Sequence, residues 1–124
     1  MADIREYVDS LLAQSDSIAV NGAAETVLFT VPAGKSCIIT KVIMHSPSDA
    51  IGQASISFGF NAGAGVNDVI VNAVRTLTGA TNYEIIPAKS DAVRGATGGT
   101  FSMIINTPET AADTAKFDVF GYLY

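Results

Sequence analysis

From Asp16 onward, short runs rich in Val, Ile, Thr and Phe alternate with clusters of Gly, Pro, Asn and Asp. Runs of this length between turn residues predict strands, and they fall at residues 16–20, 25–31, 36–45, 53–60, 67–74, 82–87, 99–106 and 115–124. The fourth run alternates most cleanly. Ala54, Ile56, Phe58 and Phe60 share one face and Ser55, Ser57, Gly59 and Asn61 the other, the pattern of a half-buried antiparallel strand. The third run is apolar on both faces, with Ile38, Thr40, Val42 and Met44 opposite Cys37, Ile39, Lys41 and Ile43, which places it in a sheet centre or at a subunit contact. In the last run Phe117, Val119 and Leu123 belong in a core. The opposite face begins with Lys116 and Asp118 and ends in three aromatics, Phe120, Tyr122 and Tyr124.

Before these runs the period differs. Asp3 is placed to cap a helix, Glu6 follows three residues later, and Ile4, Tyr7, Val8, Leu11 and Leu12 form one stripe at helical spacing over residues 3 to about 14. A helix of about 12 residues is marginal alone in water, so the stripe must dock on the chain's own sheet or on a neighbour. Asn21-Gly22 suits a tight hairpin, and in Val31-Pro32-Ala33-Gly34-Lys35 proline fixes one φ while glycine supplies a positive one. The expected fold is all-β: an antiparallel β-sandwich or jelly roll of about eight strands, residues 16–124, preceded by an N-terminal helical segment, residues 1–15. Parallel strands would need crossover helices that the pattern does not offer.

Composition narrows the possible partners. Only 15% of the 124 residues are charged, against about a quarter in ordinary globular domains, while 48% are hydrophobic. A surface short of charge fits a subunit packed against others. Twelve acidic residues against seven Lys plus Arg, with no basic cluster, argue against a nucleic-acid partner and against an anionic membrane. Cys37 is the single cysteine, so an internal disulfide and a multi-cysteine metal site are both excluded. The start, Met1-Ala2-Asp3-Ile4-Arg5-Glu6, lacks the apolar stretch of a secretory signal, and no run reaches the ~18 apolar residues of a membrane span. The expected place of synthesis is the cytoplasm.

Candidate chemistry is sparse. Gly34-Lys35-Ser36 resembles the tail of a P-loop, but Phe29 stands where that motif needs glycine, and a β-branched run follows in place of a helix. Gly59, Gly63 and Gly65 lead into another strand, unlike a dinucleotide loop. His45 is the one histidine. Cys37 lies eight residues away in the same strand, about 26 Å at strand rise, so the two form no dyad. Ser46, Ser48 and Asp49 crowd near His45 in one turn, without a group to orient them. Asn61, Asn67 and Asp68 lack the dense ligand alternation of a calcium loop. The expectation is therefore a protein without catalytic residues, metal or cofactor.

Thr30-Val31-Pro32-Ala33-Gly34-Lys35, followed by the strand from Ser36 to His45, resembles a turn between the first long strands of small β-sandwich structural proteins of tailed bacteriophages. The similarity covers about residues 25–60. It implies a non-enzymatic virion component, a capsid decoration or cement protein or a head or tail accessory subunit, with itself and a major capsid or other virion protein as partners. The alternative is a receptor- or glycan-binding sandwich, which would ordinarily present aromatics on its loops. Aromatics are enriched at protein contacts, so the expected contact residues are Ile4, Tyr7, Val8, Leu11 and Leu12 of the first segment and Phe120, Tyr122 and Tyr124 of the last strand.

Overall fold

The computed structural model describes residues 9–124. Nine strands follow in chain order: β1 (Ser10–Gln14), β2 (Ile18–Ala19), β3 (Glu25–Thr30), β4 (Cys37–His45), β5 (Ser55–Gly59), β6 (Ile70–Val74), β7 (Tyr83–Pro87), β8 (Thr100–Thr107) and β9 (Thr114–Leu123). Two antiparallel sheets result. One has the order β1-β9-β4-β7, with β2 also paired to β9, and the other has the order β3-β8-β5-β6. From β3 onward the chain changes sheet at every connection except that between β5 and β6.

The sheets face each other across a shared core. Val42, Met44, Ile86, Phe117, Val119 and Leu123 come from the first sheet, and Ile56, Phe58, Phe101, Met103 and Ile105 from the second. The Phe58 ring meets Phe117 across the gap at 6.1 Å between centroids and stacks with Phe101 within its own sheet at 6.2 Å. Such ring pairs add to the area term that dominates sandwich stability.

The turn after β3 forms as its residues dictate. Gly34 takes φ of 74° and the Lys35 amide donates to the Pro32 carbonyl at 3.2 Å, carrying the chain from the second sheet into the first. Asn21-Gly22 does not close a hairpin. Its flanking strands β2 and β3 belong to different sheets, so the segment is an exposed passage between them.

Three further expectations are corrected. No helix runs over the described part of residues 3–14, because Ser10–Gln14 is a strand antiparallel to β9, with Leu11 opposite Phe120. The free backbone edge of β9 offers ladder hydrogen bonds that outweigh the intrinsic preference of a short, marginal helix. Residues 3–8 of that expected helix lie outside the described residues. Strand β4 does not alternate strictly. A register shift between Ile39 and Lys41 turns Cys37, Ile39, Val42 and Met44 inward together, where plain alternation separates them. Strand β5 is not half-buried, since all five residues, Ser55 and Ser57 included, are buried. The loop after β5 folds back over it: Ser57 Oγ donates to the Gly65 carbonyl at 3.0 Å, and Val66 beside it is fully buried with φ of 46°.

Candidate assembly face

Register defines the outer surface of the first sheet. With Val42 and Met44 turned inward, Lys41, Ile43 and His45 point outward and stand opposite Pro87, Ile85 and Tyr83 of β7 on one side and Phe120, Asp118 and Lys116 of β9 on the other. Ile38 stands opposite Tyr122, and Leu11 opposite Phe120. Much of this face is exposed and apolar: Leu11 is 42% exposed, Ile38 43%, Ile85 53% and Tyr83 65%, with Tyr124 at 44% just past β9. Phe120 and Tyr122 are half-buried between their neighbours. Toward the β9 C-terminus the apolar side chains gather around the Lys41–Asp9 pair. Toward its start the charges of Lys116 and Asp118 interrupt it.

Polar groups tie the face together at its apolar end. The Lys41 ammonium lies 4.7 Å from the centroid of the Phe120 ring and 2.7 Å from Asp9 Oδ2, and Thr40 Oγ1 donates to Asp9 Oδ1 at 2.6 Å. Partial burial alone would raise the Asp9 carboxyl, but the hydrogen bonds from Lys41 and Thr40 and the lysine charge outweigh it and hold the group below its ordinary value. Arg94 Nη1 donates to Tyr124 Oη at 3.1 Å.

Four of the expected contact residues, Leu11, Phe120, Tyr122 and Tyr124, therefore come together on one surface. Leu12 does not join them. It sits at the register shift between Leu11 and Ala13, unpaired with β9, and packs against the core, so it and Leu11 do not share a stripe. Ile4, Tyr7 and Val8 lie outside the described residues. Sequence reasoning missed Ile85 and Tyr83, and the exposed role of Ile38. The two-faced apolar run at 36–45 held the signal for Ile38, whereas β7 became part of the face only through its pairing with β4.

Further groups of chemical interest lie on this face and elsewhere in the sandwich. His45 Nε2 lies 3.1 Å from Asp118 Oδ1, an ion pair when the ring is protonated, and Nδ1 lies 2.8 Å from Oγ of the adjacent Ser46. Ser46 is exposed at φ of 50°. Carboxylate, imidazole and hydroxyl thus form a chain at one end of the first sheet's outer face. Cys37 sits in the core at the far end of the same strand, and burial pushes its thiol up to about 12. Glu109 Oε1 accepts the amides of Gly52, Gln53 and Ala54 at 3.2, 2.6 and 3.1 Å and pins the loop before β5. Arg75, buried, donates to the Ile56 and Val71 carbonyls and pairs with Glu84 at 3.5 Å, linking β6 to β7. No group of three or more His, Cys, Asp or Glu side chains converges as a metal site among the described residues.

No family model and no curated protein matches the chain. Solved structures do. A chain from the acid-stable capsid of Helicobacter pylori bacteriophage KHP30 superposes with a TM-score of 0.62 at 13% identity, covering 94% of this chain and 89% of that one. A chain from the capsid asymmetric unit of cyanophage Pam1 superposes at 0.57 with 14% identity, covering 98% of this chain and 91% of that one. The likeness spans nearly the whole of each partner, so this small all-β chain shares its fold with chains of phage capsids.

Proposed function

We propose that this protein is a non-enzymatic structural subunit of a phage virion, a capsid decoration or cement protein or a head or tail accessory subunit. It works through protein contacts made by the outer face of the β1-β9-β4-β7 sheet. The observation that carries the reading is the cluster of Leu11, Ile38, Phe120, Tyr122 and Tyr124 at the apolar end of that face. Aromatic and aliphatic side chains left half-exposed in the middle of a sheet cost solvation in a lone subunit and gain it back on association.

The strand order supports the same reading. Two four-strand sets, β1-β9-β4-β7 facing β3-β8-β5-β6, are the order that a jelly roll of interlocked Greek keys would have, an architecture used by viral capsid domains. The fold shared with chains of the two phage capsids points the same way. On this reading the protein resides in the virion after synthesis in the host cytoplasm, and its partners are copies of itself and a major capsid or other virion protein.

Light scattering of the purified protein, alone and mixed with candidate capsids, tests the reading. Self-association or capsid binding is the expected result. The double variant Tyr122→Ser, Tyr124→Ser should bind at least tenfold more weakly while still melting cooperatively. A protein that stays monomeric and binds no capsid, or a double variant that assembles as the parent does, overturns it.

A further inference from the structure

Asn21-Gly22, a pair suited to a tight hairpin, is left by the fold in the exposed passage from β2 to β3. The passage is held at both ends. Val20 is buried, its N–H donating to the Asp113 carbonyl and its C=O accepting from the Glu109 amide, and the Ala24 carbonyl accepts from the Ile105 amide. Between these anchors the one bond among the described residues runs from the Ala24 amide to the Gly22 carbonyl, so the Gly22 nitrogen donates to none of them. Asn21 stands apart from the other five asparagines in the same respect. The side-chain amides of Asn61, Asn67, Asn72, Asn82 and Asn106 are each hydrogen-bonded, whereas that of Asn21 has no partner among the described residues. Each of those five is also followed by a residue with a Cβ, which crowds the next backbone nitrogen; Asn21 is followed by glycine.

We propose that Asn21 is a self-modification site, where the Gly22 amide nitrogen closes on the Asn21 side chain and converts the asparagine to aspartate and isoaspartate. The nitrogen's electron pair forms a bond to Asn21 Cγ, the bond from Cγ to the side-chain nitrogen breaks, and ammonia leaves with the Gly22 amide proton. A five-membered imide remains. Water then opens the ring. Cleavage at Cγ leaves aspartate in an ordinary chain, and cleavage at the Asn21 main-chain carbonyl leaves isoaspartate, with the backbone rerouted through the side-chain carbon. Water is the single co-reactant, and nothing is oxidised or reduced. The reacting atoms sit in neighbouring residues, so the step is intramolecular and needs only that neither group be tied elsewhere. The product carries an added negative charge, and isoaspartate adds a carbon to the backbone between the anchors at Val20 and Ala24. The exposed passage takes up that atom without unseating either. It links the two sheets and lies off the outer face of the first, so the modification is independent of the contacts proposed for that face.

The test follows the full chain, native and in denaturant, through several weeks at pH 8 and body temperature. Peptides from an acid digest are weighed at intervals. The one holding Asn21 should gain about one mass unit and become a substrate for an isoaspartate methyltransferase. A Cβ at Gly22 meets nothing within 4 Å, so Gly22→Ala keeps the fold. By crowding the attacking nitrogen it should slow the gain about tenfold. Asn21 should react at a similar rate in the fold and in denaturant, because the fold leaves both reacting groups free, whereas Asn61 should react more slowly in the fold. An Asn21 that gains no mass, a Gly22→Ala protein that gains it as fast as the parent, or an Asn21 rate that rises manyfold on unfolding would each overturn the proposal.

Discussion

Glu109 shows how one buried carboxylate can hold a loop. Its Oε1 serves three successive amides, Gly52, Gln53 and Ala54, in the approach to the core strand β5. Removing it takes the acceptor from three amides, of which that of Ala54 lies beneath the surface. Glu109→Ala should cost about 2 kcal/mol in denaturant unfolding, and Glu109→Gln, which keeps a carbonyl acceptor, clearly less. Cys37 gives a second outcome with its sign fixed. The thiol ionises near about 12 in the fold but near 8.5 in the unfolded chain. The unfolded state therefore loses this proton first, and stability falls as pH rises from about 8.5 toward 12. Below that window the residue contributes no slope. The native protein should resist a thiol reagent at pH 8 and react fully in denaturant; rapid native labelling would show the site to be open.

Strand β1 is where local pattern and tertiary pairing disagree, and its two leucines separate the readings. Leu12 packs toward the core, so Leu12→Ala should cost about 2 kcal/mol. Leu11 stands exposed opposite Phe120, so Leu11→Ala should leave unfolding within about 0.5 kcal/mol of the parent and act on association. Equal losses for both would restore the helical stripe. The bonds of Asp9 to Lys41 and Thr40 should also respond to acid. Its carboxyl is held below the ordinary value, so these bonds contribute above the unfolded pKa of about 3.9 and are lost as pH falls through the lower folded value. Titration of Asp9 followed by NMR would check the order of those two values. Most strands were legible because turn residues bound them: Gly34 at positive φ closes the turn that its sequence announces. The register shift at Ile39–Lys41 was not legible, because Lys41 and Thr40 carry no mark of which one is extra. The burial of Ser57 was hidden for a similar reason, since its cover comes from a loop eight residues on.

For the molecule as a whole, the two-sheet fold could be read from strand spacing, whereas the proposed contact face could only be half read. Phe120, Tyr122 and Tyr124 stood out as aromatics on the wrong side of a core strand. Ile85 and Tyr83 joined them only once β7 was known to border β4. Pairing between strands far apart in sequence leaves no local trace.

That distant pairing has a consequence for how the subunit is made. β9 lies in the middle of the first sheet, bonded to β1 and β2 on one flank and to β4 on the other. While the ribosome is still short of Thr114, β1 and β2 have no ladder partner and β4 has only β7, so half of the sandwich waits on its last strand. Contacts of such long span fold slowly, and an interrupted chain presents bare strand edges that a protease or chaperone can recognise. Only a chain completed through β9 closes the first sheet and sets Phe120 and Tyr122 in register on its outer face.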